Sequence, residues 1–582
     1  MTSSEKSGAD VALAEPGALA YPRTMSSSDP LATTFVTHEV TNQAPPLVYD
    51  AWKTDLPLRE AVEREGGSWA EADIAKYGPL VGGELMQLGF TANENKPKFK
   101  PFDRYGNRLD EVEFHPAYHR IMEAAVAHGI PNFAWRHEKT VGAHVARMAL
   151  SYLHNQADQG TSCPLTMTYA CVPTFRAHAG LAEKWLPLVT STSYDSRFQP
   201  AEQKKGVTIG MGMTEKQGGS DVRSNSTRAH QLGARGAGNP YALVGHKFFF
   251  SAPMSDAFFV LAQAEGGLSC FLLPRFTPEG TRNAIRIQRL KDKLGDWSNA
   301  SSEVEFQGAV AFMVGEEGRG VATILEMVAL TRQDCMIGSS SLMRQALVQA
   351  IHHTRHRKAF GRRLIEQPLM MNVLADLALE SEAHTVLTAR VSRAVDASHR
   401  DEREAAFARM ATAVGKYWVC KRAPTFVNEA QECLGGAGYV EEANLARLYR
   451  QAPLNSIWEG SGNIQCLDVL RAATREPASR EALFQELMAA QGGHPALDAE
   501  LARIAKDFSD TATLETRSRF VVERLALALQ ASLLLRAGNS QVADAFCESR
   551  LGGAHGNCFG TLPAHAPMKA LIERAFSEGA AG

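Results

Sequence analysis

Residues 211–221 read Met-Gly-Met-Thr-Glu-Lys-Gln-Gly-Gly-Ser-Asp, and they lie where a helical sequence pattern gives way to short β-favouring runs. Gly218 and Gly219 carry no side-chain bulk, so the backbone N–H groups of this stretch can approach a bound acceptor closely. Thr214 and Ser220 add two hydroxyl donors. The stretch therefore predicts either a loop that wraps a flat or phosphorylated ligand or an ordinary surface turn, because Gly-Gly-Ser-Asp is also common turn chemistry.

The sequence on both sides of this loop predicts an α+β fold. Apolar residues recur at three- and four-residue spacing before it and again after Gly320, which indicates helices. Between them, β-favouring runs are separated by Gly, Pro, Asp and Ser, which predicts a compact antiparallel sheet or barrel. We expect a flexible N-terminal tail (1–45), an N-terminal α domain (46–209), a β domain (210–317), a second α domain built as a helical bundle (318–475) and an extra C-terminal helical domain (476–582).

The composition excludes several classes of protein. The 61 basic and 64 acidic residues leave a formal charge of −3, which gives no whole-chain attraction to nucleic acid. The nine cysteines are scattered and never spaced as Cys-x-x-Cys, so neither a disulfide framework nor a zinc cage is indicated. The apolar stretch from Leu525 to Leu535 is too short to span a bilayer. We expect a cytoplasmic protein with no metal site and no membrane association.

A second motif, Trp458-Glu459-Gly460-Ser461-Gly462-Asn463, places a carboxylate on a turn of small residues directly after a large aromatic side chain. Bulk beside an acid can desolvate it and raise its pKa, while the glycines let a bound ring approach. The motif therefore suggests that Glu459 is a general base. The alternative is a plain turn that happens to contain Glu.

Three other patterns argue against competing chemistries. The glycines in Leu434–Tyr439 lack the third glycine and the preceding strand of a dinucleotide fingerprint, so a Rossmann interpretation fails. His352 and His356 would share a helix face, but no acidic third ligand accompanies them, which favours a solvated basic face over a metal site. The sequence has neither a Gly-x-Ser-x-Gly elbow nor a Walker loop.

Taken in order, these segments resemble the acyl-CoA dehydrogenase flavoprotein family across about residues 160–475. The sequences of residues 213–222 and 455–464 resemble, more narrowly, those of the AidB branch, the flavoprotein of the bacterial adaptive response to DNA alkylation. The ordered matches are Thr214–Asp221, Gly245–Lys247, Lys291–Gly295, Gly315–Gly320, Arg357–Gly361, Leu434–Tyr439 and Glu459–Ser461.

The resemblance implies FAD bound between the β domain and the second α domain. It implies cofactor contacts at Met211, Met213, Thr214, Gly219, Ser220, Phe249, Phe250, Ser251, Ile457, Gly460, Ser461 and Asn463. In the family, a second set of residues reaches the FAD of a neighbouring subunit, so the resemblance also implies an oligomer, usually a homotetramer. The matching positions here are Arg357, Phe360, Gln367, Gly435 and Gly436.

Glu459 matches the family's catalytic base, which removes the α-proton of an acyl-CoA thioester while the β-hydrogen leaves as hydride to the flavin. The resemblance also places Trp458 and Arg332 at the substrate pocket. A branch of the family keeps its base just before that arginine, but this chain has Thr331 there, so Glu459 is the only candidate. The bulk of Trp458, and Ala329 where acyl-CoA users generally have Asp, predict weak acyl-CoA turnover.

Three functions follow from the resemblance. The first is an AidB-like flavoprotein that protects double-stranded DNA from alkylation, for example by destroying alkylating small molecules near it. The second is a catabolic dehydrogenase of short or branched acyl-CoA that feeds an electron-transfer flavoprotein. The third is a DNA-binding protein with a structural flavin. Residues 479–582 hold ten Lys and Arg against twelve Asp and Glu, so DNA contact there would need a local patch, for which the candidates are Arg503, Lys506, Arg517, Arg519 and Arg524.

Overall fold

A buried helix runs through the middle of the N-terminal region in the computed structural model, which describes residues 38–577. Every residue of this helix, α6 (Ala143–Ala157), is buried, and Asp396 caps it by accepting hydrogen bonds from the backbone N–H groups of Gly142 and His144 at 2.9 and 3.0 Å. The helices here are α1 Leu56–Arg64, α2 Glu71–Leu80, α3 Met86–Glu94, α4 Pro116–Ala127, α5 Phe133–Arg136, α6 Ala143–Ala157, α7 Ser162–Ala170, α8 Val172–Arg176 and α9 Ala179–Val189.

The predicted helical character of this region is confirmed, with one departure. Strands β1 (Lys98–Phe102) and β2 (Arg108–Glu113) form an antiparallel hairpin between α3 and α4. In β2, Asp110 and Val112 are buried on one face, whereas Glu113 on the other face is exposed. The predicted flexible tail lies largely outside the described residues, and the chain divides between residues 43 and 44.

The predicted β domain is a closed ring of strands. The order is β6-β4-β5-β9-β7, and β7 pairs again with β6 to complete the ring, while β3 also pairs with β6 and β8 also pairs with β9. Most pairs are antiparallel as predicted, but β3 and β4 run parallel to β6. The strands are β3 Ile209–Gly212, β4 Arg228–Gln231, β5 Pro240–Ser251, β6 Ala257–Ala264, β7 Gly267–Pro274, β8 Ile285–Leu290 and β9 Ser301–Val314.

Long helices return after the ring. They are α10 Gly320–His356, α11 Pro368–Ala397, α12 Glu402–Glu432, α13 Asn444–Gln451 and α14 Gly462–Arg475, with a small hairpin of β10 Lys358–Ala359 and β11 Arg362–Arg363 after α10. Helix α10 is joined to α6 by the buried ion pair of Arg147 and Asp334. The residues from α10 to α14 thus form the predicted second helical region.

The C-terminal helices pack directly on this bundle. Arg390 of α11 bonds Glu486 at 2.9 Å, and Arg550 bonds Asp376 of α11 at 2.5 Å, both in buried positions. The helices are α15 Pro477–Met488, α16 Pro495–Ser509, α17 Ser518–Ala537, α18 Ser540–Phe546 and α19 Met568–Ala575. Among the described residues, no helix is long and apolar enough to cross a membrane.

Candidate active site

Glu459 lies on a strained turn that several hydrogen bonds hold in place. Its φ of +57° is left-handed, a conformation that costs a non-glycine residue on the order of 1 kcal/mol. Arg332 Nε donates to the Glu459 carbonyl oxygen at 3.0 Å. Lys416 Nζ donates to the carbonyl oxygens of Asn455, Trp458 and Gly460 at 3.1, 2.9 and 2.8 Å. The surrounding helices thus over-determine the turn and fix where the carboxylate points.

The Glu459 carboxylate is half-buried and has one direct hydrogen-bond donor in the structure. Thr331 Oγ1 of α10 donates to Glu459 Oε2 at 2.9 Å. Burial raises the pKa of Glu459 above its ordinary value, and the Thr331 hydrogen bond and the charges of Lys416 and Arg332 offset only part of that rise. A carboxylate with a raised pKa and a fixed position has the properties of a general base.

The loop at 214–221 is anchored by a buried ion pair. Glu215 and Lys247 are both fully buried, and Lys247 Nζ lies 2.8 Å from Glu215 Oε1. Ser226 donates to the same carboxylate through its backbone N–H and its hydroxyl at 2.7 and 2.9 Å. Burial alone would raise the pKa of Glu215, but the Lys247 ammonium and these hydrogen bonds hold it well below its ordinary value. The sequence motifs contain both Glu215 and Lys247, but the sequence did not predict that the two residues pair.

Strand β5 divides its last residues between two faces. Phe249 is 48% exposed, whereas Phe250 is fully buried, with its ring centroid 4.1 Å from that of Phe258 inside the strand ring. Ser251 follows on the same face as Phe249, and its hydroxyl lies 3.2 Å from that of Ser301. Of the three strand residues predicted to contact the cofactor, Phe250 therefore has only its backbone available.

Cys163 of α7 connects the β domain to the Glu459 turn. Burial raises the pKa of the Cys163 thiol to about 12, and the charge of Glu459 adds a smaller contribution to that rise. Met211, Met213 and Trp458 all pack in the apolar cluster that contains Cys163. The structure thus brings together the two predicted halves of the site. Nothing in the sequence distinguished Cys163 from the other eight cysteines.

The two predicted substrate-pocket residues have different surroundings. The Trp458 indole is half-buried and donates from Nε1 to Asn455 Oδ1 at 2.9 Å. Arg332 binds the Glu459 carbonyl and, through its terminal nitrogen, Asp468 at 3.0 Å. Its guanidinium therefore holds the turn in place, and Trp458 is the bulk beside the carboxylate.

The residues around this site fit the FAD that the resemblance implies. At Gly219 a Cβ would come 2.4 Å from Thr214 Oγ1, so the loop closes tightly only with glycine there. Helix α14 has 14 residues, and Ser461 at its N-cap makes no side-chain capping bond, which leaves N–H groups for an anion such as a pyrophosphate. Phe249 and Ile457, 48% and 62% exposed, offer apolar surface to a ring.

The residues predicted to reach a neighbouring subunit lie on the surface. Phe360, at the tip of the β10–β11 hairpin, is 98% exposed with a φ of +52°. Gln367 holds this hairpin by donating to the Ala359 carbonyl at 3.1 Å. Gly435 and Gly436 form an exposed turn after α12, where an added Cβ would meet no atom within 4 Å. Arg357, the C-cap of α10, leads into the hairpin. These positions are open to a second molecule.

The predicted DNA patch is largely compensated by acidic side chains. Arg517 pairs with Asp507 at 2.9 Å, and Arg524 pairs with Glu500 at 2.5 Å. Arg503 lies 3.5 Å from the same Glu500, although its side chain is 61% exposed. Lys506 is exposed on α16. Arg519 instead donates to Asn463 Oδ1 at 2.8 Å, so it reaches the N-terminus of α14 beside the candidate cofactor site.

Family models match most of the described chain. The adaptive response protein AidB N-terminal domain matches residues 42–196, the acyl-CoA dehydrogenase middle domain matches 210–309, and the acyl-CoA dehydrogenase C-terminal domain matches 318–474. The AidB N-terminal model includes the β1–β2 hairpin that the sequence pattern did not predict.

Two relatives and one solved structure show the same similarity. The putative acyl-CoA dehydrogenase AidB of Escherichia coli is 45% identical over 518 residues, which cover 88% of this chain and 94% of that protein. Acyl-CoA dehydrogenase family member 11 of Caenorhabditis elegans is 31% identical, covering 74% of this chain and 72% of that protein. The crystal structure of C. elegans ACDH-11 in complex with C11-CoA superposes with a TM-score of 0.81 at 26% identity, covering 94% of this chain and 98% of that one.

Proposed function

Because the chain belongs to the acyl-CoA dehydrogenase family, and to its AidB branch, we propose that it uses Glu459 to take the α-proton of an acyl thioester and that its role is to protect DNA against alkylation. Family membership makes it an FAD-dependent oxidoreductase of the class that acts on CH–CH groups. The observation that carries the chemical proposal is the fixed, half-buried Glu459 carboxylate with its raised pKa.

The residues around Glu459 have different roles in proton transfer. The Thr331 hydroxyl orients the carboxylate, and Arg332 and Lys416 hold the turn by its carbonyl oxygens. Trp458 shields the acid from water and narrows the space for an acyl chain, which supports weak rather than efficient turnover. Bound FAD would supply the hydride acceptor for the β-hydrogen. The residues proposed to hold it are Met211, Met213, Thr214, Gly219, Ser220, Phe249, Phe250 through its backbone, Ser251, Ile457, Gly460, Ser461 and Asn463.

An anaerobic titration tests this chemistry. The FAD-loaded protein is mixed with a panel of short and branched acyl-CoA thioesters, and bleaching of the flavin absorbance is followed. We expect slow bleaching that Glu459→Gln abolishes while FAD stays bound. Rapid bleaching by one thioester, with passage of electrons to an electron-transfer flavoprotein, would instead favour the catabolic role. Bleaching that persists unchanged in Glu459→Gln would remove Glu459 from the reaction.

We further propose that the active molecule is a homotetramer. The exposed hairpin tip at Phe360 and the exposed turn at Gly435 and Gly436 support this proposal, since FAD contacts from a second subunit need such open positions. Sedimentation of the FAD-loaded protein should give four chains, and Phe360→Asp should give smaller species with weaker FAD binding. We also propose a cytoplasmic location. All nine cysteines are free thiols, which supports this proposal.

For DNA, we propose weak, salt-sensitive binding of duplexes through the exposed cations of the C-terminal helices. The acidic partners of Arg517 and Arg524 limit the patch to Arg503, Lys506 and Arg519. The double variant Arg503→Glu/Lys506→Glu should abolish binding in a fluorescence anisotropy assay, whereas Lys53→Glu, an exposed lysine of the N-terminal region, should not. Equal loss in both variants would remove the C-terminal helices from the DNA contact.

A further inference from the structure

A cavity of about 260 Å³ lies apart from the Glu459 turn. It is enclosed by strand β2, helix α4, the connection between α9 and β3, and the loop that follows β5. Neither Glu459 nor Trp458 lines it, and no role follows for it from the flavin chemistry. The unpredicted β1–β2 hairpin forms one of its sides.

One side of the cavity is a continuous aromatic wall made of Phe114, Tyr118, His119 and Tyr194. The rings of Phe114 and Tyr118 stack with centroids 4.2 Å apart, and His119 meets Tyr118 edge-on at 5.6 Å. The rings of His119 and Tyr194 stack at 6.0 Å, with Tyr194 Oη 2.9 Å from His119 Nδ1. Such a wall offers ring faces and edges to another flat ring.

The cavity lining also includes two thioethers and one buried hydroxyl. Met122 and Met254 line the cavity, and thioethers make favourable contacts with aromatic ring edges. Ser255 also lines it and is only 2% exposed, yet its hydroxyl has no hydrogen-bond partner among the described residues. Because buried hydroxyls are nearly always paired, this group is free to pair with a water molecule or with a molecule bound in the cavity.

The charges around the cavity are already compensated. Lys204 bonds Asp256 at 2.6 Å in a buried pair, Asp195 bonds Arg197 at 2.6 Å, and Glu111 bonds Arg282 at 2.7 Å. Lys100 and Glu113 pair with each other at the exposed mouth. Burial lowers the pKa of His119, which keeps its ring neutral at pH 7. Each charged side chain that lines the cavity is therefore already paired, and the described residues leave no counter-charge for a charged ligand.

We propose that this cavity binds a neutral, planar aromatic molecule of one or two fused rings that carries at least one hydrogen-bonding group. The ring would stack on the aromatic wall, and its polar group would pair with the Ser255 hydroxyl. The volume corresponds to roughly nine water molecules at about 30 Å³ each, which is space for a bicyclic ring system. Burial of the ring faces against aromatic and thioether groups supplies the affinity.

Fluorine NMR of 5-fluoroindole with the FAD-loaded protein tests the proposal. We expect saturable binding with a Kd below about 1 mM. Met254→Trp fills the cavity from a half-buried position and should weaken binding at least tenfold. The matched variant Met488→Trp, at a methionine that is 42% exposed on α15, should leave it unchanged. Flavin absorbance and the thermal midpoint confirm that both variants fold.

Ser255→Ala provides a second, smaller test, because it removes only the unpartnered hydroxyl. We expect a three- to tenfold weaker binding of 5-fluoroindole in this variant, about the effect of one lost hydrogen bond. The proposal is overturned if 5-fluoroindole does not bind the wild-type protein, or if Met254→Trp binds it unchanged. Equal binding of hexan-1-ol would overturn the aromatic selectivity, and tighter binding of indole-3-acetate would overturn the neutrality.

Discussion

Glu215 and Glu459 both lie in glycine-containing motifs, but their pKa values are shifted in opposite directions. Glu215 is fully buried, yet the Lys247 ammonium and the Ser226 and Thr227 donors hold its pKa well below the ordinary value. Glu459 is half-buried, and within the described part of the chain only Thr331 donates to its carboxylate. The two nearby cations bind backbone carbonyl oxygens of the turn instead, so burial raises the pKa of Glu459. The comparison shows that close cations and several donors hold the Glu215 carboxylate ionised, whereas the effect of burial prevails at Glu459, which has fewer direct partners.

The two shifts also act on stability with opposite sign. The folded-state pKa of Glu215 lies below its unfolded value, so its contribution is present at neutral pH and is lost as the pH falls through the folded-state value. The folded-state pKa of Glu459 lies above its unfolded value, so the ionised form costs stability at neutral pH and protonation relieves that cost. At neutral pH the ionised Glu459 therefore lowers the stability of the fold slightly, whereas the Glu215–Lys247 pair raises it.

The largest effect should come from breaking the Glu215 pair. Lys247→Met leaves a fully buried carboxylate without its cation, which should lower the free energy of unfolding by about 3–5 kcal/mol. Urea unfolding followed by circular dichroism measures this change. The double variant Glu215→Gln/Lys247→Met removes the uncompensated charge and should recover at least half of the loss. A single variant as stable as the wild type would mean that the pair does not anchor the loop.

The matching change at the other glutamate should affect activity rather than stability. Glu459→Gln keeps the shape of the side chain but removes the base, so acyl-CoA-dependent flavin reduction should fall at least about 100-fold. At neutral pH its free energy of unfolding should be equal to or slightly higher than that of the wild type, because the costly charge is gone. Stopped-flow reduction and urea unfolding provide the two readouts. A marked loss of stability would assign Glu459 a structural role like that of Glu215.

The sequence could identify the base but not the anchor for a physical reason. Glu459, its bulky neighbour and the glycine turn are contiguous, so a local motif contains the whole signal. Glu215 and Lys247 are joined only when the loop folds back on β5. Successive side chains of a strand point to opposite faces, so Phe250 must lie on the face opposite to Phe249 and Ser251. The sequence of β5 could therefore have predicted that Phe250 lies inside the ring. Cys163 and the cavity beside α4 depend on helix packing, which no local pattern encodes.

Thr331→Val should sharpen the comparison by removing the only direct donor to the Glu459 carboxylate among residues 38–577. Burial then acts with less opposition, so the pKa of Glu459 should rise further above its ordinary value. Because the base must be ionised, the acid limb of the kcat/KM profile should move to higher pH, and the rate below that limb should fall about fivefold. Thr331→Ser keeps a hydroxyl and should behave like the wild type. A limb that stays in place would show that Thr331 does not bond the carboxylate in solution.

The smallest effect should arise where α17 meets the Glu459 turn. Arg519 is exposed and donates to Asn463 at the start of α14, so it steadies the helix terminus that we propose holds FAD. Arg519→Ala should weaken FAD binding only about two- to fivefold, because an exposed hydrogen bond contributes little. Fluorescence titration of FAD measures it, with Arg503→Ala as the control from the same helices. If Arg519 acts through Asn463, the double variant Arg519→Ala/Asn463→Ala should bind FAD no worse than Asn463→Ala alone. Additive losses would mean that Arg519 contacts the cofactor itself, and the C-terminal helices would then belong to the flavin site directly.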